Sequence, residues 1–197
     1  MMIKICGITR REDAVVAVEA GATAVGFIFY PKSPRYVTPS AAAALGEGLN
    51  TWKVGVFVDE SPAAIEAMMR EAKLDIAQVY GDKMPENMRV WRAFRPAGTS
   101  PLAATEPRAS ASGWTIDSPE AILLDGPANG ISFDWKIARG KDHKIIIAGG
   151  LDASNVAEAI RVAKPWGVDA SSKLESAPGI KDHDKVRAFV KAAQETK

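Results

Sequence analysis

Cysteine and histidine are nearly missing from this sequence: 197 residues contain one thiol, Cys6, and two imidazoles, His143 and His183. A single cysteine excludes an internal disulfide and sets the expectation of a reducing, cytoplasmic setting. Two histidines, each among charged neighbours, leave little material for a histidine-based metal site, so no metal is expected. An excess of either charge is lacking as well, because 25 Lys+Arg meet 24 Asp+Glu for a formal net charge of +1. That balance gives no bulk attraction to nucleic acid or to an anionic membrane, and neither is expected as a partner. No apolar run nears the roughly 18 to 20 residues of a membrane span. The opening Met1-Met2-Ile3-Lys4-Ile5-Cys6 reads as a strand and lacks the layout of a signal peptide. No Gly-x-Gly-x-x-Gly follows that strand and no Gly-Lys-Ser/Thr loop occurs, which weakens dinucleotide and nucleoside-triphosphate readings.

What the sequence does have is apolar material in a regular order. Hydrophobic residues make up 47% of the chain, enough for a buried core and against disorder. The length suits one domain spanning 1–197. Strand candidates fall at 3–6, 24–29, 53–58, 76–80, 90–94, 121–125, 144–148 and 167–170. Runs such as Ile145-Ile146-Ile147 carry no polar alternation, as expected of strands covered on both faces. Between them lie helical spacings: Ile65, Met68, Met69 and Ala72, and again Val186, Phe189, Val190 and Ala193, fall at i, i+3, i+4, i+7. Ser61-Pro62 has the form of an N-cap followed by proline at the first helical position, and Asp182 is placed to cap the last helix. A helix is expected over 154–163. The stretch 98–113 carries the faintest helical pattern, and the connection at 83–88 is short.

Strand–helix alternation predicts an α/β chain with a parallel sheet. Eight units close into a (β/α)8 TIM barrel, whereas about six would leave an open doubly wound sheet. The barrel is favoured, in compact form, since such barrels typically use about 250 residues.

In a barrel, chemistry belongs at the C-terminal ends of the strands. Those ends carry Cys6, Tyr30, Asp59, Tyr80, Arg95, Asp125, Gly149-Gly150 and Asp169 with Ser171-Ser172. A Gly pair before a helix lets backbone N–H groups approach an anion, and Ser171 and Ser172 supply hydroxyl donors on the neighbouring loop. Loops after strands seven and eight are the usual phosphate site of this fold. Taken singly these are also a tight turn and ordinary capping serines. Cys6, a small buried hydrophobe in most settings, here ends strand one before Gly7, where a thiolate can serve as a base. Asp125 puts a carboxyl group at the pocket mouth after an apolar strand, a placement suited to a general acid. Lys32 and Arg35 lie in a proline-flanked loop, and the guanidinium geometry suits a carboxylate.

These same residues carry a resemblance. Lys4-Ile5-Cys6-Gly7-Ile8-Thr9, then residues 24–36 ending in Tyr30-Pro31-Lys32-Ser33-Pro34-Arg35-Tyr36, then Leu123-Leu124-Asp125 and Phe133-Asp134-Trp135 follow in order. Ala148-Gly149-Gly150-Leu151, Gly167-Val168-Asp169 with Ser171-Ser172, and Pro178-Gly179-Ile180-Lys181-Asp182 complete the series. The chain thereby resembles the phosphoribosylanthranilate isomerases of tryptophan biosynthesis over nearly its whole length. The resemblance implies an Amadori rearrangement of an aminoaldose phosphosugar to an aminoketose, with no cofactor. It implies Cys6 as general base and Asp125 as general acid, with Arg35 beside the anthranilate. Gly149, Gly150, Ser171 and Ser172 would hold the phosphate, with Asp169 nearby, in a monomer or homodimer. Three places differ from the usual pattern. Tyr80 stands where a histidine is usual, the loop after Asp125 is shortened, and Lys173 replaces a glycine after the serines. The sister aminoaldose isomerisation of histidine synthesis, and a barrel that binds phosphosugars without catalysis, are the competing readings.

Overall fold

The computed structural model describes residues 1–81, 83–95, 119–127 and 131–196. Eight parallel strands close into a barrel: β1 Met2–Cys6, β2 Ala24–Ile28, β3 Trp52–Phe57, β4 Ile76–Tyr80, β5 Val90–Phe94, β6 Ala121–Leu124, β7 Ile145–Ile147 and β8 Gly167–Ala170. Each pairs with the next, and β8 pairs back onto β1 with Lys4 opposite Asp169. The alternative of an open sheet is thus excluded. All eight expected strands are present, three with the expected bounds and the others shifted by one residue at one or both ends.

The helical side is less regular. Helices α1 Arg11–Ala20, α2 Pro39–Gly46, α3 Pro62–Glu71, α4 Val156–Ala163 and α5 His183–Glu195 follow strands one, two, three, seven and eight. After β6 a single 3-10 turn, Trp135–Ala138, does the crossing, and after β4 the described residues form only bends. The segment 98–113 lies outside the described residues. Capping chemistry is as the sequence indicates for two helices: Ser61 Oγ accepts from Ala64 N–H, and Asp182 accepts from the N–H groups of Asp184 and Lys185. Helix α4 starts two residues later than expected. Asp152 accepts from the Ser154 N–H and hydroxyl, which holds that residue in a turn ahead of the helix. A short antiparallel hairpin, β9 Glu175–Ala177 with β10 Ile180–Lys181, follows β8.

Strand periodicity sorts the barrel into two cores. Ile3, Ile5, Val25 and Phe27 face outward and pack under the helices with Val186, Phe189 and Val190 of α5. Met2, Ala24, Val54, Ile76, Trp91, Leu123 and Ile146 fill the barrel interior. Three indoles close its lower end: Trp52, Trp91 and Trp166 have ring centroids 5.9–6.3 Å apart. Arg89 and Lys144 lie over Trp52 and Trp166, and Glu120 pairs with both cations. This end is packed shut, so ligands enter from the other. Trp91 is fully buried, and Trp91→Ala is expected to cost about 3–5 kcal/mol through the cavity left behind. Chemical denaturation reads that loss, while kcat at a temperature where the variant stays folded should remain within about twofold of wild type.

Candidate active site

Alternation along the strands brings the chemistry to the open end. On β1 the inward positions are Met2, Lys4 and Cys6; on β8 they are Gly167, Asp169 and, just past the strand, Ser171. On β4 they are Ile76, Gln78 and Tyr80. The lowest member of each row is apolar and the upper two are polar or reactive, except that glycine opens the β8 row. Above them opens a cavity of about 460 Å³. Cys6, Arg35, Asp125, Gly149, Gly150, Asp169, Ser171 and Ser172 all border it. The structure therefore brings together at one cavity all the residues expected to catalyse or to bind substrate, though not every strand-end residue noted in the sequence. Asp59 is not among the lining residues; its N–H is bonded to the Glu60 carboxylate in the loop.

At the β1–β8 seam, Lys4 Nζ donates to Asp169 Oδ2 at 2.8 Å, with the lysine fully buried. Burial works against the Lys4 charge, yet Asp169 beside it raises the lysine above its ordinary pKa. Burial pushes Asp169 up, and Lys4 opposes the shift. Asp169 Oδ1 is buried without a partner among the described residues, and so is Gln78 Oε1 across the cavity. Cys6 stands beside this pair. A side chain at Gly26 would run into both Cys6 Sγ (2.9 Å) and Lys4 Cε (3.0 Å), so thiol and ammonium stem share the space that glycine leaves. Burial raises the Cys6 thiol, and the Lys4 charge pulls it back down.

Arg35 crosses over Gly7. A Cβ there would meet Arg35 Cδ at 2.6 Å and Ser171 Oγ at 2.9 Å, and φ is +74, so only glycine admits the approach. The guanidinium is already held: Nε and Nη2 donate to the two oxygens of Glu175 at 2.7 Å each. This bidentate pair leaves Nη1 unbonded among the described residues. Glu175 also takes Lys181 Nζ at 2.9 Å, and the Lys181 N–H donates to Asp13, which is bonded to Arg10 and His183. Glu175 and Asp13 went unremarked in the sequence, and Lys181 was noted only within a motif, because these contacts join residues up to 170 positions apart. Lys4, by contrast, was readable: it lies two residues before Cys6 and so shares its face.

On the loop after β7, Gly149 and Gly150 have φ +85 and +66. The N–H groups of Gly149, Gly150 and Ser172 find no acceptor among the described residues. Ser171 is differently engaged, its hydroxyl donating to the Cys6 carbonyl at 3.0 Å. The start of α4 lies behind the Asp152 turn, so the cradle is built from loop amides. Opposite, Asp125 Oδ2 accepts from Tyr80 Oη at 3.0 Å and Arg95 Nε at 3.2 Å. Tyr80 and Arg95 border the same cavity. Among the described residues no group of three or more His, Cys, Asp or Glu is arranged to hold a metal ion. Nor is any helix long and apolar enough to cross a membrane.

A closed (β/α)8 barrel with a thiol, a carboxyl group and free loop amides around one mouth defines an acid–base enzyme for a small anionic substrate. Residues 3–192 match the family profile described as N-(5'phosphoribosyl)anthranilate (PRA) isomerase, and the chain belongs to that family. It is 48% identical over 205 residues to the N-(5'-phosphoribosyl)anthranilate isomerase of Solibacter usitatus, with 98% of each chain covered. The crystal structure of phosphoribosyl anthranilate isomerase from Thermus thermophilus superposes with a TM-score of 0.86 at 34% identity over the full length of both. Another solved phosphoribosyl anthranilate isomerase, in complex with reduced 1-(o-carboxyphenylamino)-1-deoxyribulose 5-phosphate, gives a TM-score of 0.81 at 35% identity over 98% of each chain.

Two outcomes test the electrostatic frame. Lys4→Met leaves the Asp169 carboxylate buried and unpaired, so a loss of about 3–5 kcal/mol is expected in urea denaturation; an unchanged midpoint would show that the pair contributes nothing. Burial alone would raise Glu175, but its bonds to Arg35 and Lys181 outweigh it and hold the carboxyl below its usual 4.5. A depressed folded-state pKa gives stability that is present above the unfolded value and is lost as pH falls through the folded one. Glu175→Gln should therefore be less stable at pH 7 and lose less on acidification below about pH 4.5. Melting temperatures across pH 3 to 7 check both signs.

Proposed function

We propose that the chain catalyses the Amadori rearrangement of N-(5-phosphoribosyl)anthranilate to 1-(2-carboxyphenylamino)-1-deoxyribulose 5-phosphate, with Cys6 as base and Asp125 as acid. The observation that carries this reading is their placement at one cavity, on β1 and at the end of β6, with the unbonded amides of Gly149, Gly150 and Ser172 on the loops between. A phosphate seated on those amides spans the gap between acid and base. Asp169 Oδ1 and Gln78 Oε1, buried acceptors without donors, suit sugar hydroxyls. Asp169 itself is an acceptor, not an anion ligand, and its place beside the cradle fits ribose better than phosphate. Arg35, fixed by Glu175 with Nη1 to spare, suits the anthranilate carboxylate.

The chemistry needs one proton delivered and one removed. Asp125 gives its proton to the furanose ring oxygen; the C1–O bond breaks as the anthranilate nitrogen lone pair forms C=N. The Cys6 thiolate then takes the C2 proton. The C–H electrons form C1=C2 and return the C=N pair to nitrogen, giving an enolamine whose tautomerisation to the ketone completes the aminoketose. Both steps use side chains of this chain, and the reading requires no cofactor. It further makes the chain a cytoplasmic, single-domain enzyme (1–197) acting on a small phosphosugar.

Cys6→Ser and Asp125→Asn should each lower kcat by about 10²–10⁴-fold, while calorimetry shows the reduced aminoketose analogue still bound within a few-fold of wild type. Near wild-type turnover in either variant overturns its assigned role. Because burial raises the thiol and only the thiolate is a base, kcat/KM should climb with pH through neutrality. Turnover of the histidine-synthesis aminoaldose alone would replace the substrate assignment.

A further inference from the structure

Three adjacent strands meet at the Asp125 carboxyl group. Tyr80 ends β4, Arg95 follows β5 and Asp125 follows β6, where the Asp125 N–H is tied to the Phe94 carbonyl at 2.8 Å. Both side-chain donors converge on the same oxygen: Tyr80 Oη reaches Oδ2 at 3.0 Å and Arg95 Nε reaches it at 3.2 Å. Oδ1 has no partner among the described residues. Resting on the assignment of Asp125 as the acid, we propose that Tyr80 is its positioning residue, pinning Oδ2 so that Oδ1 carries the proton to the sugar ring oxygen.

The argument is one of donors and acceptors. A neutral carboxylic acid is a donor at one oxygen and an acceptor at the other. An oxygen already receiving two hydrogen bonds cannot also carry the proton without setting donor against donor. The proton therefore belongs on Oδ1, the oxygen left for substrate. Tyr80 is the better placed of the two donors. Its hydroxyl receives Gln78 Nε2 at 3.5 Å, which turns the phenolic hydrogen toward Asp125. Burial, and then the Asp125 charge, raise Tyr80 well above its ordinary pKa, so it remains a donor throughout the working range. The Arg95 side chain is 53% exposed, and solvent weakens its hold. Its guanidinium stacks over the Tyr80 ring at 5.5 Å from the centroid, so Tyr80 supports that donor too.

The test is Tyr80→Phe, which removes one oxygen and keeps the ring. Expected are a fall in kcat of about tenfold, the size of one well-made neutral hydrogen bond, with KM and affinity for the reduced aminoketose analogue within about threefold of wild type. The solvent deuterium isotope effect on kcat should rise, because transfer from an unpinned acid becomes a larger part of the barrier. A packing role alone would lower the melting temperature without raising the isotope effect. Wild-type kcat in Tyr80→Phe, or a loss confined to KM and analogue affinity, overturns the proposal while an inactive Asp125→Asn leaves the acid assignment standing. An active Asp125→Asn removes both.

Discussion

The ion pair between Lys4 and Asp169 lies at the one place where the sheet becomes a barrel. The two residues are register partners across the β1–β8 seam, and they meet in the interior at 2.8 Å with the lysine wholly out of water. A one-residue slip of either strand would turn its charge to the other face and strand the remaining one in the core. That penalty, several kcal/mol for an unpaired buried ion, is what fixes the register of closure. Everything at the mouth inherits it: Cys6 stands one inward step above Lys4, and Ser171 one inward step above Asp169. The Ser171 hydroxyl bonded to the Cys6 carbonyl repeats the seam one level higher.

From this seam the charged groups run outward in alternation. Lys181 reaches Ser171 and Glu175; Glu175 holds Arg35; the Lys181 backbone reaches Asp13 on α1, which collects Arg10 and His183. Burial lowers Lys181, and Glu175 holds it charged against that effect. Glu175 and Asp13 each face more than one donor, so neither is left as a lone buried charge. The hairpin β9–β10 supplies Glu175 and Lys181, which explains why an element outside the barrel is needed to orient an arginine that arrives from the loop after β2.

Much of this was legible in the sequence, and the reason is periodicity. Short apolar runs bounded by turn residues and alternating with helical spacings mark the strands, and the C-terminal ends of those strands then pick out Cys6, Tyr80, Asp125 and Asp169 without coordinates. What could not be read was long-range pairing. Nothing local in Glu175 marks it as the partner of Arg35, 140 positions away. The helices were less readable than the strands for a similar reason. A helix of α/β type is held mostly by its apolar stripe against the sheet, and between β6 and β7 a 3-10 turn with Trp135 suffices to cover the gap. The start of α4 was misplaced because Asp152 competes for the Ser154 N–H, a local choice that spacing does not reveal.

The near-zero net charge fits an anion site of the proposed kind, made mainly of backbone amides. A phosphate held by lysines would need cations in excess. Here Arg35 is committed to Glu175 and Arg95 to Asp125, and the groups left unbonded on the loops after β7 and β8 are the N–H donors of Gly149, Gly150 and Ser172, with Lys173 beside them at the cavity rim. Amides carry no net charge and do not titrate, so a cradle built from them adds nothing to the charge balance of the chain. On the proposed assignment, one barrel mouth then holds the base, Cys6, beside Lys4 and the acid, Asp125, against Tyr80.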